Sequence, residues 1–151
     1  IHEETLKRIS SQYNAKIVGL NEIYDIDMDI YAPCALGATV NDDTLSRLKC
    51  SIIAGAANNQ LAQEAIHGKI VMDKGIIYAP DYALNAGGVI NCFAEVDGQD
   101  SKWAMDKAAA IYDTIYGIVD RSQTENIPTY AIANKMAEER IEAIGKVKLP
   151  M

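Results

Sequence analysis

The stretch Ile76-Ile77-Tyr78-Ala79-Pro80-Asp81-Tyr82-Ala83-Leu84-Asn85-Ala86-Gly87-Gly88-Val89-Ile90-Asn91 changes its pattern midway, and that change decides the fold. Three β-prone residues run out into a turn set by Pro80 and Asp81, and small and apolar residues at helical spacing follow. Residues 85–96 are predicted as one helix. Its first turns hold the amides of Asn85 and Asn91 and the adjacent Gly87 and Gly88. Each glycine costs about 1 kcal/mol against alanine in a helix interior, so the pair calls for a reason. Either a ligand or another backbone passes close by, or the helix is simply weakened where it packs on a neighbour.

The same unit recurs upstream. Residues 28–33 read as a strand closed by Pro33, and Asn41, Asp42 and Asp43 then cap a short helix to about Leu48. Residues 51–55 form the next strand, followed by a helix over 61–65, a break at His67-Gly68 and a further helical turn over 69–74. Uniformly apolar strands alternating with helices predict an α/β fold, a partial doubly wound parallel sheet of the Rossmann type. A helix over 3–14 and a short β-prone run, Ala15-Lys16-Ile17-Val18, precede it. Downstream, Ser101 is predicted to cap a helix reaching about Gln123, and Pro128 to open another that stops near Gly145.

Composition narrows the function. With 151 residues, 49% of them hydrophobic, the chain can bury a core, and its net charge of −7 argues against a nucleic-acid or anionic-membrane partner. No run approaches the ~18 apolar residues of a membrane span, and residues 1–4 lack the features of a signal peptide, so a cytoplasmic protein is expected. Cys34, Cys50 and Cys92 are odd in number and widely spaced, which suggests reduced thiols, with Cys34 a small buried residue. No metal-ligand cluster, Ser/His/Asp elbow or phosphate-cradling glycine motif is present in the sequence, and His67 reads as a helix-end histidine.

What remains is a set of amides where ligands bind in such sheets, outside the carboxyl ends of the strands. Asn58, Asn59, Asn85 and Asn91 each offer a donor and an acceptor without charge, suited to a carboxamide, a ribose hydroxyl or a carboxylate. Asparagine also favours turns and caps, so each taken singly has a bland explanation.

Three segments in order, residues 29–37, 53–61 and 78–91, resemble the NAD-binding domain of the glutamate, leucine, phenylalanine and valine dehydrogenase family, its leucine-acting members most of all. Residues 111–115 and 136–141 resemble the family's later helices. The resemblance implies NAD-dependent oxidative deamination of a branched-chain L-amino acid to its 2-oxo acid and ammonia, with phenylalanine or valine as alternative substrates. It implies that Cys34, Ala35 and Leu36 lie along the cofactor ribose. Asn58 and Asn59 would meet the nicotinamide ribose or carboxamide and the substrate carboxylate, with Asn85 beside the nicotinamide. Val89 and Cys92, one helical turn apart, would line the side-chain pocket.

The same resemblance divides the chain into a later part of the NAD-binding domain, residues 1–100, and helices over 101–151 that lead back to a substrate domain. It places the glycine-rich turn, the ribose-binding acid and the catalytic lysines and aspartate before residue 1, so that no catalytic residue is expected here. The chain is therefore expected to be part of a longer, homo-oligomeric enzyme. The rival expectation is a stand-alone, non-catalytic nucleotide-binding or interaction module.

Overall fold

The computed structural model describes residues 2–146; residue 1 and residues 147–151, the end of the expected segment 101–151, lie outside the described residues. Three short strands, β1 (Ile30–Tyr31), β2 (Ile52–Ile53) and β3 (Ile77–Tyr78), form a parallel sheet in chain order. Ile30, Ile52 and Ile77 stand in register, as do Tyr31, Ile53 and Tyr78. Parallel neighbours require a crossover, and the helices α2 (Asp42–Arg47) and α3 (Glu64–Asp73) provide it. The α/β sheet with C-terminal helices that the alternation predicts is the architecture observed.

Register decides which face is covered, because successive residues of a strand point to opposite sides. Tyr31, Ile53 and Tyr78 are buried and join Val40, Leu45, Leu61 and Val71 in the main core. Ile30 on the other face is 53% exposed, so uniformly apolar strands do not mean equal burial on both faces here.

Local chemistry explains most element boundaries. The Asn41 side chain accepts from the N–H groups of Asp43 and Thr44, and the Thr44 hydroxyl accepts from the Asn41 N–H, which closes a capping box on α2. The predicted break in α3 does not occur. Gly68 lies inside the helix because the Tyr130 ring packs there: a Cβ at Gly68 would fall 2.5 Å from Tyr130 Cδ1. His67 is also interior and buried, and its Nδ1 accepts the Gln63 N–H at 2.8 Å. Residues 15–18 form no strand, having no ladder partner among the described residues.

Beyond β3 come α4 (Asp81–Leu84), α5 (Gly87–Val96), α6 (Ser101–Ala109), α7 (Ile111–Glu125) and α8 (Thr129–Gly145), after an opening α1 (Glu3–Tyr13). The helix predicted over 85–96 starts at Gly87, and Asn85 caps the end of α4 instead. The long helix predicted from Ser101 divides at Ala110, where neither proline nor glycine announces the break. Its cap is Asp100, whose carboxylate accepts the Trp103 N–H at 2.8 Å; an acid one residue earlier serves the role predicted for Ser101. Ile118, Ile132 and Ala133 form a second core where α7 meets α8. Arg121 ties the same two helices together through a two-pronged contact with Glu139, both distances 2.7 Å.

Candidate functional site

Each strand ends in a loop, and hydrogen bonds join the three loops into one rim. The loop after β1 approaches the loop after β2 backbone to backbone. The Gly55 Cβ position lies 2.1 Å from the Pro33 carbonyl oxygen, and that of Gly37 lies 2.6 Å from the Asn58 carbonyl oxygen, so neither site has room for a side chain. The Ala38 N–H donates to the Asn59 carbonyl at 2.7 Å, and Val40 bridges Leu61 in parallel. Gln60 is fully buried, and its Nε2 donates to the carbonyls of Gly55 and Ala57 at 2.5 and 2.9 Å, fixing the turn between them.

The loop after β3 is tied in by a carboxylate. Asp81 is buried; one oxygen accepts the Asn59 N–H at 2.5 Å and the other accepts the Tyr78 hydroxyl at 2.9 Å. Burial, reinforced by the Asp81 charge, holds the Tyr78 phenol well above its usual pKa. Burial first and then Glu64 and Asp81 push Tyr82 up to about 12. Glu64 is raised by burial and then by Asp81. This corner between α3 and α4 is thus acidic and partly shielded from water.

The amides expected at the site divide. Asn85 and Asn58 come together: Asn85 Nδ2 donates to Asn58 Oδ1 at 2.6 Å and to the Ala56 carbonyl at 3.2 Å. Two acceptors fix the orientation of the Asn85 amide. Asn85 Oδ1 and Asn58 Nδ2 then have no partner among the described residues, leaving one acceptor and one donor free. Asn59 is exposed and adopts a left-handed φ of +53°. Asn91 is drawn away, its amide donating to Glu95 one turn on along α5.

Asn58 and Asn85 line a cleft of about 720 Å³ with Ala56, Tyr82, Gly87 and Val89. Nothing lies within 4 Å of a Cβ built on Gly87 or Gly88, so packing within the chain does not explain the pair. Cys34, Ala35 and Leu36 are exposed on the loop after β1. Cys34 is thus not the buried residue expected of it: the turn leaves its side chain at the surface, where Sγ accepts the Ala56 N–H at 3.5 Å. Cys92 is exposed one turn beyond Val89 and does not line this cleft.

Two residues that organise the rim were not candidates from sequence. Asp81 reads as a turn residue after Pro80, and Gln60 as one more polar loop residue. The available signal was position: Gln60 and Asp81 both lie on the connections that leave the carboxyl ends of β2 and β3 in an α/β alternation.

A family profile described as glutamate/leucine/phenylalanine/valine dehydrogenase matches residues 2–147. The chain belongs to this family. It is 48% identical over 148 residues to a leucine dehydrogenase of Thermoactinomyces intermedius, covering 98% of this chain and 40% of that relative. To a phenylalanine dehydrogenase of Bacillus thermotolerans it is 40% identical over 151 residues, covering 97% of this chain and 39% of the relative. The crystal structure of L-tryptophan dehydrogenase from Nostoc punctiforme superposes with a TM-score of 0.92 at 39% identity, over 97% of this chain and 45% of that one. The chain thus spans about two fifths of the length of the curated amino acid dehydrogenases it matches. Among the described residues no helix is long and apolar enough to cross a membrane, and no group of three metal-ligating side chains gathers.

Proposed function

We propose that this chain forms the cofactor-binding part of an NAD-dependent dehydrogenase that oxidatively deaminates a branched-chain L-amino acid to its 2-oxo acid and ammonia. The observation that carries this reading is the Asn58–Asn85 pair. Its free donor and acceptor, on two residues that line one cleft, suit a primary carboxamide, which presents one acceptor and one donor. The nicotinamide ring carries such a group. The residues present therefore fit the nicotinamide half of the cofactor, and Gly87 and Gly88 leave room for it.

In this reading Asn58 and Asn85 hold the carboxamide and fix the orientation of the ring. The exposed loop of Cys34, Ala35 and Leu36 lies along the ribose. Asn59, whose backbone Asp81 fixes, offers its side-chain amide to the substrate carboxylate. Val89, at the cleft, and Cys92, one turn on, face the substrate side chain, and their modest size suits an aliphatic group. The bound cofactor supplies the hydride acceptor. The family membership and the 48% identity to a leucine dehydrogenase support the choice of substrate class.

The test uses the whole protein. Asn85→Ala is expected to lower kcat/KM for L-leucine oxidation with NAD by roughly tenfold to a hundredfold, since it removes the partner that orients Asn58. Unchanged kinetics would overturn the assignment.

A further inference from the structure

Residues 55–58 form the turn that presents both acceptors of the Asn85 amide, the Ala56 carbonyl and Asn58 Oδ1. Successive carbonyls along this turn serve different partners. Those of Gly55 and Ala57 accept from Gln60 Nε2 at 2.5 and 2.9 Å, while that of Ala56, between them, accepts from Asn85 Nδ2 at 3.2 Å. Ala57 is also held from the loop after β1, its N–H donating to the Pro33 carbonyl at 2.9 Å. Each peptide unit is planar, so pinning the units on either side leaves the Ala56 carbonyl little freedom to turn.

The chemistry of Gln60 points to the same task. The side chain is fully buried, and its Oε1 has no partner among the described residues. Turning the amide over would set Oε1 against two carbonyl oxygens, so the donors must face the turn. A buried acceptor without a donor is destabilising, and an apolar side chain of similar size would remove it. What the amide supplies in exchange is two hydrogen bonds from one nitrogen, both spent on the turn that holds Ala56 and Asn58. Gln60 itself does not line the cleft.

We infer that Gln60 is a positioning residue for the cofactor: without touching it, its amide fixes the geometry with which Asn58 and Asn85 meet the carboxamide. The inference rests on the amide-pair reading proposed above and extends it to a residue behind the cleft wall. Because Gln60 acts through the pair, its loss should be felt by the nicotinamide and not by the rest of the cofactor.

The test compares NADH with ADP-ribose, which is the same cofactor without its nicotinamide, by calorimetric titration of the whole protein. Gln60→Met is expected to weaken NADH roughly fivefold to tenfold, the effect of about one hydrogen bond, and to leave ADP-ribose unchanged. Asn85→Ala should show the same selectivity. The double variant should bind NADH no more weakly than the weaker single one, since both changes act on one pair. If Gln60→Met binds NADH normally while Asn85→Ala does not, the positioning role is overturned and the amide pair stands. If Asn85→Ala binds NADH normally, the pair reading fails and the role of Gln60 falls with it. Equal weakening of both ligands by Gln60→Met, or additive losses in the double variant, would also overturn the inference. Should Gln60→Met not fold, Gln60→Glu decides, because its carboxyl donates one hydrogen bond when protonated and none when ionised. Its NADH affinity relative to the unsubstituted protein should then rise as pH is lowered, with no such change for ADP-ribose; a constant ratio would overturn the inference.

Discussion

The Asn59 N–H donates to the buried Asp81 carboxylate at 2.5 Å, so the residue that leaves β3 fixes the backbone of a residue that leaves β2. Asn59 sits at a φ of +53°, a conformation asparagine tolerates better than most residues, and the bond holds it there. The second carboxylate oxygen takes the Tyr78 hydroxyl at 2.9 Å, which anchors the whole arrangement in the sheet.

Asp81→Asn should therefore cost about 1–3 kcal/mol, because an amide cannot accept at both positions and one buried donor is left without its partner. Tyr78→Phe removes one bond and leaves the carboxylate still held by Asn59, so it should cost less, about 1 kcal/mol. Urea denaturation of both variants checks the order; equal losses would show that the carboxylate does not link the two loops.

Glycines that look alike in sequence should respond oppositely. Gly55→Ala drives a methyl group to within 2.1 Å of a backbone carbonyl and should cost about 3 kcal/mol or more. Gly88→Ala meets nothing within 4 Å and should stabilise α5 by about 0.5–1 kcal/mol. In the whole protein the same Gly88→Ala variant should raise the KM for NAD, if the cofactor passes over this turn. Thermal melting and steady-state kinetics on one pair of variants separate the two effects.

Ala38 has a φ of +56°, which costs a residue with a Cβ about 1–2 kcal/mol. Ala38→Gly relieves that strain while adding about 0.4–1 kcal/mol of freedom to the unfolded chain. The net expectation is a gain of about 0.5–1 kcal/mol, with the bond to the Asn59 carbonyl kept. A lower urea midpoint would contradict it.

Glu64 gives a pH signature. Burial and the Asp81 charge raise its pKa in the folded chain above the ordinary 4.5. The native state then binds more protons than the unfolded state, so the contribution of this group is full below the unfolded value and lost as pH rises through the folded one. Glu64→Gln should melt higher than the unsubstituted chain at pH 7, and the difference should vanish below about pH 4. Melting curves at several pH values decide it.

The element types were legible because hydrophobic periodicity and caps are local. Pro33 closing β1, Asn41 opening α2 and Pro128 opening α8 act within a few residues of themselves. The misreadings share one cause, that a distant partner changed the meaning of a residue. Gly68 looks like a helix breaker until Tyr130, from α8, is seen filling the space a side chain would occupy. His67 looks like a helix-end residue until it is found buried with its ring bonded to the Gln63 N–H.

By itself the sequence determined the parallel α/β alternation, the strand ends where the candidate site lies, and the family to which the chain belongs, since all three rest on patterns carried along the chain. Only the tertiary structure decided which amides work together. Asn58 and Asn85 are 27 residues apart and meet through one hydrogen bond, while Asn91, six residues beyond Asn85, turns to its own helix. It also assigned Asp81 the central role, because a carboxylate buried between two loops is defined by the donors that reach it. Those donors come from different parts of the chain, and only folding brings them together.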